Sequence, residues 1–472
     1  MKFNNIEAQD GSKRSHIASG IGATCTVALT GTSNNFIRIS CTAGSITHYY
    51  IAQNGVAAIH MATYASAPLP VGELRYIARL RRSTITNGFP AATTDGGSAI
   101  EGSDVFLVNG QTRSKFYSSR QFIDDAVKGV SGPGIAIHMV VDPPRGFEGS
   151  SGGPFFRDID NQIGDVNELY FYMHSGHTQT ENFRTGLKGP YSLIFTTGSV
   201  PAVPNYGFYD SLGLTGWLAQ SGRGRVTGKA TGTNVPQYVV VAWSNANAQY
   251  WTRAATDGSF TSPYMKPGTY TMTLYKIELA VATASVTVSG GGTTTSNIVS
   301  TEPARSAIFQ LGDYDGTPRG FINADKIEWQ HPSDSRMTTP WARSVAVSSG
   351  AGAVPMAIFK DLGSLTLTFS LSSSQIGARV FEIATTLAFA GGRPVITVNN
   401  SWTSSIPAAP SQPDSRGVTR GTWRGNNILY TYNIPSGVLV SGSNTVSIGV
   451  ASGSSGAQFL SPNVVLDMLR LY

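Results

Sequence analysis

The chain has 472 residues, of which 53 are glycine and only 13% are charged, and its formal charge is +6. That length exceeds one ordinary hydrophobic core, and so few charged side chains leave little material for long surface helices, so short strands and tight turns in several domains are expected. The mild basic excess admits a polyanionic partner, but no RNP-type motif or zinc-finger Cys/His spacing points to nucleic acid, and no apolar run reaches membrane-spanning length.

The first residues, MKFNNIEAQDGSKRSH, hold no apolar core of signal-peptide length. Cys25 and Cys41 flank a predicted hairpin, Thr26 to Ile39, and could face each other across it as a disulfide or as two buried thiols. Further on, Glu73 to Arg82 form a cationic cluster. On a strand Arg75 and Arg79 project to one face, and their guanidinium forks suit a planar carboxylate; the plainer reading is a solvated edge strand. After the predicted strand Val105–Val108, Lys115 stands between Arg113 and Arg120. A lysine near other cations loses its proton more easily, and only a neutral amine can abstract a proton near physiological pH, so Lys115 is a candidate general base. Taken alone, the segment also reads as a basic strand edge.

The loop Gly149-Ser150-Ser151-Gly152-Gly153-Pro154 looks like the nucleophile loop of chymotrypsin-like serine proteases, with His60 and Asp104 upstream in the right order. Those proteases carry Asp where this chain has Ser150 and Cys where it has Met61, so a protease is the remote alternative. In Glu168 to His177, strand geometry sets Tyr170, Tyr172 and His174 on one face and Phe171 and Met173 on the other. A bulge at Gly176 would return His177 to the tyrosine face, where it could serve as a proton donor; taken alone, such a histidine is more often a hydrogen-bonded structural one.

A boundary is expected near Gly216, after the Gly/Pro-rich stretch 197–206, and the run of short strands that follows suits a small β-sandwich. Gly290 to Thr295 reads as a strand end and linker, and the remainder, closing on Val464 to Tyr472, suits a jelly roll. The fold class is therefore all-β, in domains 1–216, 217–303 and 304–472.

The stretches IHMATY (59 to 64), GELRYIARL (72 to 80), AIEGSDVFLV (99 to 108), TRSKFYSS (112 to 119), SSGGPFFRDI (150 to 159), YMHSGHTQTE (172 to 181), TSPYMKPGTYTM (261 to 272), HPSDSRM (331 to 337) and DSRGVTRG (414 to 421) resemble, in order, the fungal rhamnogalacturonan lyases of polysaccharide lyase family 4. The resemblance implies a catalytic β-sandwich, a fibronectin type III-like module and a jelly roll similar to carbohydrate-binding modules. It implies a secreted, extracellular carbon–oxygen lyase that acts as a monomer, without a catalytic metal, on rhamnogalacturonan I of pectin. It places the catalytic residues at Lys115 and His177 and the substrate-binding residues at Arg75, Arg79, Tyr170, Tyr172 and Arg416, and leaves residues 150 to 154 as scaffold. It also places further strands and a secretion signal upstream of the region matching Ser15, so an unpaired edge is expected in the first sandwich.

The residue chemistry agrees with those roles. β-Elimination needs a base for the C5 hydrogen of galacturonate, a cation for the enolate-like carboxylate and an acid for the departing O4. Lys115, the Arg75/Arg79 pair and His177 supply these in turn. Asp313 and Asp315 could hold a structural calcium. The alternative of a different class is an inactive or truncated carbohydrate-binding relative.

Overall fold

The computed structural model describes residues 1–69, 72–89, 92–101, 105–114, 119–413 and 416–472. Its contacts group into two units, one of residues 1–95, 118–276 and 280–301, the other of residues 96–117, 277–279 and 302–472. Among the described residues no helix is long and apolar enough to cross a membrane.

The first unit holds two packed sheets. The larger runs, in spatial order, through Val127–Gly132, Ile135–Val141, Gly186–Thr196, Ala58–Ala65, Ile46–Gln53, Phe36–Ala43 and Thr24–Thr30. The strand Ile135–Val141, apolar except for His138, is buried at every position, as a strand paired on both sides and covered on both faces must be. At the sheet's end, Val27 and Leu29 of Thr24–Thr30 stand exposed. Cys25 lies directly opposite Cys41 in this edge pair, and the two form a disulfide.

The smaller sheet orders Asn161–Ile163, Asn167–His174, Leu74–Leu80 and His16–Ile17. Its inner residues Leu74, Tyr76, Leu169, Phe171 and Met173 meet Met61, Ile137 and Tyr191 of the larger sheet in one core. The predicted division between tyrosines and Phe171/Met173 is thus observed. Gly152 belongs to this packing: its φ is +109°, and a Cβ there would lie 2.6 Å from Phe156, so only glycine fits. The Gly/Pro-rich stretch before residue 216 packs as well, with Tyr206, Tyr209, Leu212 and Leu214 against Phe36, Tyr49 and Leu187.

The same unit contains the fibronectin-like module, in which Gln249–Arg253, Val239–Ser244, Gly268–Lys276 and Leu279–Val288 form one sheet and Ser259–Thr261, Arg225–Thr231 and Thr293–Thr295 the other. Thr293–Thr295, expected to be strand end and linker, pairs in parallel with Arg225–Thr231. β-Branched residues suit a strand, and the edge they cover would otherwise leave backbone groups unpaired. Val240, Ala242 and Trp251 of the module join the sandwich core directly.

In the second unit two five-stranded sheets enclose the jelly-roll core. Asn463–Leu471, predicted as the closing strand, is central in one of them, between Phe309–Leu311 and Arg379–Phe389. Phe381, Ile383, Leu466 and Leu469 face Leu365, Leu367, Val446 and Ile448 across the core. A three-stranded sheet of Gln111–Arg113, Val105–Val108 and Ser98–Glu101 belongs to this unit too. These residues lie inside the span 1–216 of the expected first domain, yet polar contacts tie them to the jelly roll. The Thr112 N–H and hydroxyl both donate to Asp334, at 2.9 and 2.7 Å, and the Ser114 hydroxyl donates to the Glu328 carbonyl at 3.1 Å.

Candidate active site

Arg75 and Arg79 share a face of Leu74–Leu80, as strand alternation requires. The antiparallel partner sets Tyr172 opposite Arg75, Tyr170 opposite Ile77 and Glu168 opposite Arg79. The four predicted substrate-binding residues of this sheet therefore come together. Tyr170 and Tyr172 stack with ring centroids 5.8 Å apart, the Arg75 guanidinium lies 5.7 Å from the Tyr172 ring, and Ile77 and Ile159 fill the space beside the rings.

Neither arginine is without a carboxylate. Arg79 Nε donates to Glu168 at 2.8 Å, the Tyr170 hydroxyl donates to the other oxygen of Glu168, and Arg75 pairs with Glu73. The strip thus sets the two stacked rings between two ion pairs, in the order Arg79–Glu168–Tyr170–Tyr172–Arg75–Glu73. These carboxylates fix the direction of each guanidinium while leaving further N–H donors in each fork. His16, on the neighbouring strand, pairs with Ile77 and enters the same neighbourhood. Burial, followed by the charges of Arg79 and Arg75, lowers its pKa and favours the neutral imidazole. Sequence reading did not single out His16; its two-residue strand carries no periodic signal.

The alternation breaks before His174, earlier than the expected bulge at Gly176. A register shift falls between Tyr172 and His174, and His174 turns edge-on against Phe183, with ring centroids 5.1 Å apart. Burial, helped by the nearby Lys188 and Arg184, pushes its pKa down to about 4. The predicted bulge at Gly176 thus gives way to an irregularity before His174.

His177 follows in the loop, and its Nδ1 lies 3.2 Å from Asp158 Oδ2. The Ser175 hydroxyl donates to that same oxygen at 2.6 Å, and the Ile159 N–H donates to Oδ1 at 2.8 Å. The Asp158 side chain is fully buried, whereas that of His177 is 22% exposed. Asp158 therefore fixes the ring of His177 through one of its nitrogens. The segment carrying Asp158 is itself anchored: the Asp160 carbonyl accepts from Tyr170 N–H, and the buried Lys128 ammonium bonds both Asp125 and Asp160 at 2.5 Å. Burial and the adjacent Asp125 push the Asp160 carboxyl up, because one ammonium cannot balance two carboxylates.

Lys115 lies outside the described residues, as does Asp104. Arg416 is in the second unit, where its Nη1 donates to Glu101 Oε1 at 2.9 Å. Thr419 donates to the same oxygen, and His331 Nε2 lies 3.0 Å from Oε2. Burial acts to raise the Glu101 pKa, but the hydrogen bonds from His331, Arg416 and Thr419 outweigh it and hold it low. Three of the sequence stretches, 99–108, 331–337 and 414–421, meet at this carboxylate, and Arg416 has a structural task there.

The protease-like elements do not assemble. The His60 ring bonds Ser192 at 2.7 Å, and Ser151, at the nucleophile position, is fully buried with its hydroxyl donating to the Asn182 carbonyl at 3.0 Å. Gly152 and Gly153 N–H groups donate instead to Glu181 and Gln249, as scaffold. Asp315 accepts from both the N–H and the hydroxyl of Thr317, and among the described residues no three His, Cys, Asp or Glu side chains cluster as a metal site.

The sandwich face thus carries paired arginines and stacked tyrosines, with a carboxylate-oriented histidine on the following loop. Comparison with known proteins is specific. The family model for the N-terminal domain of rhamnogalacturonan lyase B matches residues 1–216, and those for domains II and III of polysaccharide lyase family 4 match residues 222–296 and 307–471. The rhamnogalacturonate lyase A of Emericella nidulans is 51% identical, over 99% of this chain and 88% of the relative. That of Aspergillus aculeatus is 48% identical, over 99% of this chain and 89% of the relative. The chain belongs to polysaccharide lyase family 4, with the fungal rhamnogalacturonate lyases.

Proposed function

We propose that the protein is an extracellular rhamnogalacturonan lyase that cleaves the bond between rhamnose and O4 of galacturonate in rhamnogalacturonan I by β-elimination. Lys115 removes the C5 proton of galacturonate, the electron pair forms the C4–C5 double bond, and the C4–O4 bond breaks. His177 protonates the departing O4, which stays on rhamnose. The arginine strip receives the carboxylate, where charge accumulates in the transition state. The observation that carries this reading is His177 held by buried Asp158 on the loop that follows the Tyr170/Tyr172 strand, in a chain half identical to rhamnogalacturonate lyases.

Digestion of rhamnogalacturonan I is expected to raise ultraviolet absorbance as unsaturated galacturonate ends form, with no oxygen taken up from labelled water and no loss of rate with chelator. Saturated products carrying the label would mean a hydrolase. Absence of any product from a protein that binds the polymer would favour the carbohydrate-binding alternative.

Asp158 enters this reading as a positioning residue, since it touches His177 and not substrate. Asp158→Asn keeps the shape and removes the charge. Turnover is expected to fall about tenfold to a hundredfold, as for the outer partners of metal-bound histidines, with KM little changed. A rise in KM at constant turnover would contradict that role.

A further inference from the structure

A buried ionic cluster lies two residues from Asp158 in the chain. The Lys128 ammonium bonds Asp125 Oδ2 and Asp160 Oδ1, each at 2.5 Å, and all three side chains are almost fully buried. Of the two remaining oxygens, Asp125 Oδ1 and Asp160 Oδ2, both are buried and meet no donor, while the carboxyls lie within hydrogen-bonding reach of each other. Burial alone would lower the Lys128 pKa, but Asp125 and Asp160 raise it, so Lys128 stays an ammonium.

The surroundings supply little further charge. Arg120 is exposed, donates to the Val127 carbonyl at 3.1 Å and acts on both carboxyls more weakly than Lys128 does. Asp124, beside Asp125, pairs with Arg253 at the surface. On the Asp160 segment Arg157 is buried and Asp158 holds His177 and Ser175. On Asn167–His174, Glu168 pairs with Arg79 and His174 packs on Phe183. Lys128 stands opposite Met139 in the strand pair, whereas His138, opposite Gly129, belongs to the other face.

Two carboxylates against one ammonium would leave a net negative charge where water cannot reach it, which burial strongly penalises. One proton on the carboxyl pair removes that charge and supplies the missing donor. Burial pushes both carboxyls up, as a retained proton requires. Without the proton, like-charge repulsion acts between Asp125 and the Asp160 segment. That segment is tied to the candidate site twice: the Asp160 carbonyl accepts from the Tyr170 N–H at 2.9 Å, and Asp158 holds His177 Nδ1 at 3.2 Å.

We propose that Asp125 and Asp160 share one proton in the active protein, and that the protonated Lys128–Asp125–Asp160 triad locks segment 158–160, and with it His177, in position. At alkaline pH the proton passes to solvent, the pair becomes doubly charged and the segment is released. Asp160 is thus a positioning residue, not a catalytic one. The consequence for turnover rests on the proposed lyase reaction; the shared proton rests on the triad alone.

Infrared difference spectra of the full chain, with isotope-labelled aspartate, test the proton. Near neutral pH the wild type is expected to show a protonated-carboxyl band that Asp160→Asn and Asp125→Asn both lose. Each asparagine keeps the shape and can donate to the remaining carboxylate, so the fold is expected to survive. No band lost in either variant overturns the proposal. Amide exchange at Tyr170, corrected for its intrinsic rise with pH, tests the lock: protection should fall in the wild type as the band titrates and persist in Asp160→Asn. The same course in both proteins overturns it. Turnover should fall on the alkaline side with the loss of two protons in the wild type, one from His177 and one from the triad, and of one proton in Asp160→Asn. Equal slopes remove the triad from the control of turnover. The lyase reading fails separately. A chain that forms no unsaturated product but shows the band and the release at Tyr170 keeps the lock and loses the lyase, whereas product formation with no band difference does the reverse.

Discussion

Lys115→Ala and His177→Ala are each expected to lower turnover on rhamnogalacturonan I by about a hundredfold to ten-thousandfold, the usual worth of a positioned base or acid. The His177 side chain is partly exposed and lies in a loop, so its loss removes little packing. Asp158 would keep its bonds from Ser175 and the Ile159 N–H. Thermal unfolding of His177→Ala should therefore stay close to wild type, and the loss should be kinetic. If the two residues act on one transition state, the double variant should lose less than the product of the single effects. Near-wild-type turnover in either single variant would remove that residue from the mechanism.

The parts of this site that follow a local rule were legible in the sequence. Period-two alternation separates Tyr170 and Tyr172 from Phe171 and Met173, and it places Arg75 with Arg79, because a strand offers only two faces. His174 escaped the rule because the register shifts just before it. What the rule cannot reach is pairing between distant residues. Asp158 lies 19 positions from His177 and meets it only because the loop after Asn167–His174 folds back, and nothing in the spacing marks it. The Glu168 and Glu73 partners of the arginines were in plain view as acids, but only the strand register turns them into a charge strip.

Long-range partners within the expected span 1–216 show the same limit: Glu101 and Thr112 find theirs more than 200 positions away, at His331, Asp334, Arg416 and Thr419. The resemblance places Arg416 among the substrate-binding residues; beside a buried carboxylate it also neutralises Glu101. The two cysteines are the converse case, since their hairpin was visible and only the register, with Cys25 opposite Cys41, was needed to decide between disulfide and thiols.

Glu148→Gln is expected to destabilise the first unit by about 3–5 kcal/mol, the cost of breaking a buried ion pair from one side. The Glu148 carboxylate is buried and takes both ends of the Arg223 fork at 2.7 and 3.1 Å, the Tyr250 hydroxyl at 2.6 Å and the Lys266 ammonium at 3.0 Å. Glu148 precedes the glycine loop of the sandwich, whereas Arg223, Tyr250 and Lys266 belong to the fibronectin-like module, so one carboxylate joins the two. Burial alone would raise its pKa, but Lys266 and Arg223 outweigh that and bring it to about 2, against an ordinary 4.5. A depressed carboxylate contributes stability that is complete above about pH 4.5 and is lost as pH falls through about 2. Denaturant midpoints of wild type and variant should therefore differ most at pH 7 and draw together at pH 3. Glutamine keeps the volume, so a cavity contributes nothing to the difference. Equal midpoints at pH 7, or a gap that does not change between pH 7 and pH 3, would mean that the network does not stabilise the junction, leaving the contact of Trp251 with Phe122 and Phe147 to hold the module in place.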